Sequence, residues 1–387
     1  MSAGHRLGID FGTSHTVGIV AWPDGRVRPL LFDGSPLLPS AVYAEPAETP
    51  GVPGGLLVGR DAVHAARMEP ARFEGTPKRR IDDGTVLLGD AEYPVTALIT
   101  AVLARVAEEA TRVIGGPPAE VVLSHPAAWG ISRRMTLLEA AKAAGLGEPG
   151  LVPEPVAAAR YFAAITGERF AEGDGVLVYD FGGGTFDASL VLKLPDGYDA
   201  QAVDGIDDLG GLDLDELVVQ YTGERLGAEH AAVWQRLREP TTAEDRRHRR
   251  MLWDDARIVK ERLSRATTTM LHVPLADTDV TVSRAAFEEL SRALIERTAR
   301  TTAAVLRWSG LPKERLAGVF LVGGSSRIPL VATVLQRQLG IAPTVLEQPE
   351  LVVAEGALRP AQASASAASA PQGTPLPPVP VSPAPVS

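Results

Sequence analysis

The chain has 387 residues, more than one ordinary core accommodates, so two large lobes or several subdomains are expected. Hydrophobic residues make up 45% and the formal net charge is −10, which argues against a non-specific nucleic-acid or anionic-membrane binder, while a local basic cleft stays open. Cysteine is absent, which excludes disulfides, thiolate nucleophiles and Cys-ligated zinc; MSAGHRLGID has no apolar signal core and no run of about 18 apolar residues occurs, so a cytoplasmic globular protein without a membrane span is expected.

In chain order, residues 7–9 and 17–21 read as two strands flanking DFGTSHT. A short apolar strand at 121–124 precedes an Ala/Leu-rich helix at 133–145 that ends in glycine. Prolines 153 and 155 open a second helix at 154–165. The strand at 176–179, the turn DFGGGTFD and the strand at 188–192 then repeat the N-terminal unit. LGIDFGTSHTVGIV and LVYDFGGGTFDASLV share an apolar run, Asp, Phe, Gly, Thr and a second apolar run, the mark of an internal duplication. Amphipathic helices follow at 213–226 and 243–264, then a strand at 280–282 and a serine-capped helix from Ser283 through 308. A strand at 318–322 ends in GGSSRIP, and helices follow at 329–339 and 349–358. The composition breaks near Pro360; residues 361–387 carry no charge, no aromatic and seven prolines. Such a segment cannot bury enough apolar surface to offset its ordering entropy, so it reads as a disordered, partly polyproline-II tail, inert or bound by a protein partner.

Three strand-ending glycine turns therefore occur, beginning at Asp10, Asp180 and Gly323. Glycine lets backbone approach a ligand closely, and successive N–H groups form an anion-binding concavity. Thr13, Ser14 and Thr185 add hydroxyls for phosphate oxygens. Asp10 and Asp180, one at the head of each duplicated turn, suit a hydrated Mg²⁺, which keeps several waters. Taken singly, each turn reads as a hairpin; three in order, two of them near-duplicates, point to a magnesium nucleotide. No G-x-x-x-x-G-K-[ST] occurs, so this is not a P-loop chain.

GIDFGTSHT, EPVAAA at Glu154, YDFGGGTFDASLV, LGGLDLD at Leu209 and VFLVGGSSRIP resemble, collinearly, the nucleotide-binding domain of the heat-shock-protein-70 chaperones, within the actin-like ATPase superfamily. The resemblance implies an α/β fold of two ribonuclease-H-like lobes, residues 1–168 and 169–360, each a mixed five-stranded sheet with helices, and a nucleotide cleft between them. It implies a slow ATPase with ATP/ADP and Mg²⁺ as cofactors. Gly12, Thr13 and Ser14 would grip the β- and γ-phosphates from one side; Gly182, Gly183, Gly184 and Thr185 would grip them from the other. Asp10 and Asp180 would hold magnesium through water, and Asp187 would lie near the metal and the attacking water. Lys78 in GTPKRRID would reach the transferred phosphate, and Glu154 would orient or deprotonate the water; without the resemblance Lys78 reads as a surface lysine and Glu154 as a helix-start carboxylate. Gly323, Gly324, Ser325 and Arg327 would form the adenosine-side turn, with the Arg327 guanidinium on the adenine face, and Lys260 and Ser264 would contact base and ribose; Ser326 reads as a local cap.

Departures from the family pattern weaken the adenosine grip most. Arg257 stands where a glutamate is usual and Glu261 where an arginine is, His15 replaces an asparagine or tyrosine, and His125, in place of a valine, reads as a core histidine. HVPLADTDVTVS is shorter than its family counterpart, so the subdomain over the base should be trimmed. The linker, β-rich peptide-binding domain and helical lid of these chaperones have no counterpart in the sequence, so chaperone activity, with J-domain proteins or exchange factors as partners, is implied only by analogy. A filament-forming actin-like ATPase, a sugar or acid kinase and a binding-only pseudo-ATPase are the alternatives.

Overall fold

A computed structural model describes residues 4–360 except 48, 50, 168 and 169, so the tail expectation falls outside the described residues. Two hairpins organise the fold. Arg6–Phe11 pairs antiparallel with His15–Ala21, and Gly175–Phe181 pairs antiparallel with Phe186–Leu194. On its other side each leading strand takes a parallel neighbour, Glu120–His125 in the first case and Leu316–Val322 in the second. The leading strands are apolar on both faces because helices cover both sides of the sheets. Burying each such Val, Ile or Phe contributes about 1.5–3 kcal/mol. The duplicated, two-lobed α/β architecture expected from the repeat is present.

The strand counts differ from five and five. The first sheet runs Gly150–Pro153, Glu120–His125, Arg6–Phe11, His15–Ala21, Val27–Pro29, and the two-residue strand Leu38–Pro39 also pairs with His15–Ala21, making six. The second has four: Gly197–Ile206, Phe186–Leu194, Gly175–Phe181 and Leu316–Val322. A fifth position survives only as a bridge between Phe320 and Thr344. Thr344 donates to the Val319 carbonyl at 2.7 Å, but its neighbour Pro343 has no N–H to extend the ladder.

Expected helices appear with shifted ends. The first begins at Ile131 and closes at Ala143, and the last is shortened to Val352–Ala357 because Leu351 first closes a turn on the Gln348 carbonyl at 3.2 Å. Ser283 caps the helix Arg284–Trp308 by accepting from the Ala286 N–H at 3.1 Å, as read from the sequence. Thr242 does the same for Ala243–Leu263, from Asp245. Several elements had no counterpart in the sequence reading, among them a long helix and an edge strand of the second sheet. Val95–Ile114 mixes β-branched residues into a helical period and ends at left-handed Gly115. The edge strand Gly197–Ile206 is rich in Asp and Gly, which strands disfavour.

One core joins residues from Leu7 to Leu146, a second those from Leu177 to Leu339. A third lies between them, where Glu154–Thr166 packs on Val352–Ala357 and on the second sheet. The helix crossing is so close that a Cβ at Gly356 would strike the Ala157 carbonyl. Within the second core, the hydroxyls of Tyr179 and Thr298 satisfy each other at 2.7 Å. HVPLADTDVTVS forms a bare hairpin, Thr268–Val273 with Thr278–Ser283, turned through left-handed Leu275 and Asp277.

Candidate functional site

Strand register assembles the acidic end of the site. Ile9 pairs with Leu123, so the next residues, Asp10 and Ser124, stand side by side at the strand ends, and the Ser124 hydroxyl donates to Asp10 Oδ1 at 2.7 Å. Asp180 pairs directly with Asp187 across the second hairpin, which puts both carboxylates on one face. Glu154 enters at the first residue of its helix, and Lys78 comes from the short 3₁₀ turn Pro77–Arg80. Lys78 Nζ lies 2.8 Å from Glu154 Oε1 and 5.5 Å from the centroid of the Trp129 ring.

Four half-buried carboxylates thus face one ammonium. Burial, then the Glu154 charge, pushes Asp10 up to about 6. Burial also raises Glu154, with Asp187 adding to the rise and Lys78 opposing it. Asp180 is held well above the carboxylate range by burial and then by Glu154, Asp187 and Asp10. Asp187 is raised by burial, while the Thr185 hydroxyl, donating at 3.1 Å, lowers it. Burial works against the charge of Lys78, yet Glu154, Asp10 and Asp180 together hold its ammonium above the usual value. The excess negative charge fits a cation. Among the described residues no three carboxylate or imidazole groups converge to ligate one directly.

These groups line one end of a cavity of about 450 Å³ between the two sheets, within the usual volume of a small-molecule site. Gly12, Thr13 and Ser14 line it from the first hairpin, and Gly182, Gly183 and Thr185 from the second. The turns meet: a Cβ on Gly183 would strike Ser14 Oγ, and one on Gly184 would come within 2.7 Å of Thr13 Cγ2. Gly184 touches Thr13 without lining the cavity. The first turn is fastened by Ser40, whose hydroxyl donates to the Gly12 carbonyl at 2.8 Å. The second is fastened by Gly211 N–H to Gly182 O at 3.0 Å, Leu212 N–H to Gly183 O at 2.9 Å and Ser325 Oγ to Gly182 O at 2.9 Å.

Gly323, Gly324, Ser325, Arg327, Lys260 and Ser264 line the other end. Gly323 has φ 81°, and a Cβ there would lie 2.6 Å from Asp180 Oδ1, so only glycine brings this turn against the acidic cluster. Ser326 donates to the Gly323 carbonyl at 2.7 Å, the local cap role read for it. Arg327 is exposed and paired with Glu350 at 3.1 Å. Lys260 borders the cavity, but its ammonium is taken up by Asp215, 2.7 Å away, and by the Gly211 carbonyl, also at 2.7 Å. Arg257 leans on the same Asp215 at 3.6 Å, and burial, then the Arg257 charge, lowers His15 to about 4. His125 is buried with Nδ1 2.8 Å from the Pro126 carbonyl and does not line the cavity, a core histidine as read. Sequence reasoning missed Ser124, Trp129, Asp215 and Glu350; of these only Asp215 carried a signal, inside LGGLDLD.

A family model described as Hsp70 protein matches residues 75–367. Chaperone protein DnaK of Halobacterium salinarum strain R1 is 30% identical over 363 residues, covering 91% of this chain and 54% of that protein. The DnaK of strain NRC-1 matches to the same extents. The chain spans about half the length of the curated relatives it matches.

Proposed function

Because the chain belongs to the Hsp70 family, we propose that it binds ATP and ADP with Mg²⁺ in the cleft, hydrolyses ATP slowly, and signals lobe closure to a protein partner. The observation that carries this reading is the meeting of two glycine turns, each headed by a half-buried aspartate, beside the Lys78–Glu154 pair. Gly183, Gly184, Thr13, Ser14 and Thr185 cradle the β- and γ-phosphates. Asp10 and Asp180 hold the hydrated magnesium, which when bound neutralises charge on the phosphate oxygens. Lys78 turns toward the equatorial oxygens of the transferred phosphoryl group, where a fixed cation acts on the charge that develops in the transition state. Glu154, whose carboxyl burial raises above its usual value, orients the attacking water and takes its proton while Asp187 aligns the water's second hydrogen. The water oxygen bonds to phosphorus, the bond to the ADP oxygen breaks, and ADP and inorganic phosphate leave. Gly323, Gly324, Ser264 and Arg327 wall the adenosine end. J-domain proteins, exchange factors and a partner for the tail are the protein contacts this reading predicts.

Isothermal titration with Mg-ATP and Mg-ADP, followed by single-turnover hydrolysis, tests the proposal. Wild-type protein should bind both, and Lys78→Ala should keep ADP binding while turnover falls by about 10²–10³. No heat of binding at millimolar nucleotide would refute it. Nucleotide-dependent sedimentation would instead indicate a filament.

A further inference from the structure

We propose that Lys260 and Asp215, acting through the backbone at 210–212, and Ser325, acting directly on the Gly182 carbonyl, are positioning residues that aim the second phosphate turn rather than adenosine contacts; this rests on the cleft binding a nucleotide. In a trans peptide the carbonyl of one residue and the N–H of the next point in opposite directions. The Gly182 carbonyl is held by two donors, the Gly211 N–H at 3.0 Å and Ser325 Oγ at 2.9 Å. The Gly183 carbonyl is held by the Leu212 N–H at 2.9 Å. With both carbonyls fastened on the helix side, the N–H groups of Gly183 and Gly184 turn away from it. Thr13 and Ser14 lie against these two glycines, where the first turn meets the second, and Gly183 also lines the cavity. Two successive N–H groups aimed the same way form an anion nest.

The helix Gly211–Arg225 supplies the fastening, since its first N–H groups have no partner inside the helix. Lys260 fixes that helix. Its Nζ donates to the Gly211 carbonyl and pairs with Asp215 one turn further on, both at 2.7 Å, stapling the first turn to the helix Ala243–Leu263. Lys260 is 8% and Asp215 3% exposed. A buried ion pair is weak evidence for stability, because desolvation offsets attraction, but its short bonds fix position. The surroundings leave no slack. A Cβ on Gly210 would lie 2.5 Å from the Gly183 carbonyl oxygen, and one on Gly211 would lie 2.6 Å from Ser325 Oγ and 3.0 Å from Lys260 Nζ. The ammonium that borders the adenosine end is therefore spent on the phosphate end.

A ligand ladder separates this role from an adenosine contact. Dissociation constants for adenosine, Mg-ADP and Mg-ATP, with single-turnover rates, would be measured for wild type, Ser325→Ala and the charge-neutral pair Lys260→Met with Asp215→Asn. Adenosine should bind within about twofold of wild type, while ATP weakens about fivefold in Ser325→Ala, the effect of one lost hydrogen bond, and about tenfold or more in the double variant, with turnover reduced in step. If the double variant loses its cooperative melt, Lys260→Gln, which keeps a donor toward the Gly211 carbonyl, should show a smaller loss in the same order. Equal weakening of adenosine and ATP, or no change in either, overturns the proposal. Wild-type protein that binds no nucleotide overturns the functional reading itself.

Discussion

Asp10→Asn should stabilise the ligand-free protein while removing its magnesium chemistry. Burial, then the Glu154 charge, moves the Asp10 carboxyl from 3.8 to about 6, against the pull of Lys78 and the Ser124 hydroxyl. A folded pKa above the unfolded one means that the fold binds this proton more tightly than the unfolded chain does. The contribution of Asp10 is therefore most favourable below pH 3.8, declines as pH rises from 3.8 to about 6, and costs its full amount above that. At about 1.4 kcal/mol per pH unit, the interval amounts to about 3 kcal/mol. Asparagine keeps an Oδ1 that accepts from Ser124 and carries no charge. His15 has the opposite trend: lowered from 6.5 to about 4 by burial and then by Arg257, it favours the fold above pH 6.5 and loses that contribution as pH falls toward 4. His15 is common to both proteins and cancels in their difference. Urea unfolding of wild type and variant at pH 4, 6 and 8 in EDTA should show the variant ahead by up to about 3 kcal/mol at pH 8, with the gap closing toward pH 4. Added Mg-ADP should raise the wild type by about 2.7 kcal/mol at one hundred times its dissociation constant and the variant by far less. A variant no more stable than wild type at pH 8, or a gap that does not change with pH, would refute the account of Asp10.

Two other expectations follow from contacts across the cleft. Gly184→Ala would put a methyl group 2.7 Å from Thr13 Cγ2 and 2.9 Å from its Oγ1, forcing the two turns apart; titration should show ATP affinity falling more than adenosine affinity, and equal affinities would count against the clamp. The Arg250 guanidinium, from the helix Ala243–Leu263, sits 3.8 Å from the centroid of the Phe73 ring on the opposite side. Removing it should cost the closed form about 0.5–2 kcal/mol, so Arg250→Ala should release fluorescent ADP about 2- to 30-fold faster in stopped flow, and an unchanged rate would show that the contact does not hold the cleft shut.

The end of the site that the two hairpin turns line was legible because its residues are local in sequence. Asp10 with Gly12, Thr13 and Ser14, and Asp180 with Gly182, Gly183 and Thr185, each lie within one hairpin, and the apolar runs at 7–9 and 176–179 announce the strands that carry them. A turn is specified by its own residues. The fifth strand of the second sheet was not legible, since whether 342–345 extends a ladder depends on where Pro343 falls against Phe320. Ser124 and Trp129 were equally silent: a serine at a strand end and a tryptophan before a helix mean nothing until register and packing bring them to Asp10 and Lys78.

The adenosine end shows why matching residue types to positions falls short of assigning a role. Lys260 sits where a nucleotide contact is expected, and it does border the cavity. What a lysine can offer a ligand is set by its free N–H donors and its uncompensated charge, and here one donor goes to the Gly211 carbonyl while the charge is paired with Asp215. That commitment is invisible in the sequence because both partners belong to a different helix. The neighbouring exchange at Arg257 has the same origin. One buried carboxylate, Asp215, serves two cations at 2.7 and 3.6 Å, whereas Asp10, Glu154, Asp180 and Asp187 share the one ammonium of Lys78. Under the proposed function, the metal of a bound magnesium nucleotide would offset the excess of carboxylates around Lys78, and Lys260 would act on the nucleotide through the backbone it holds.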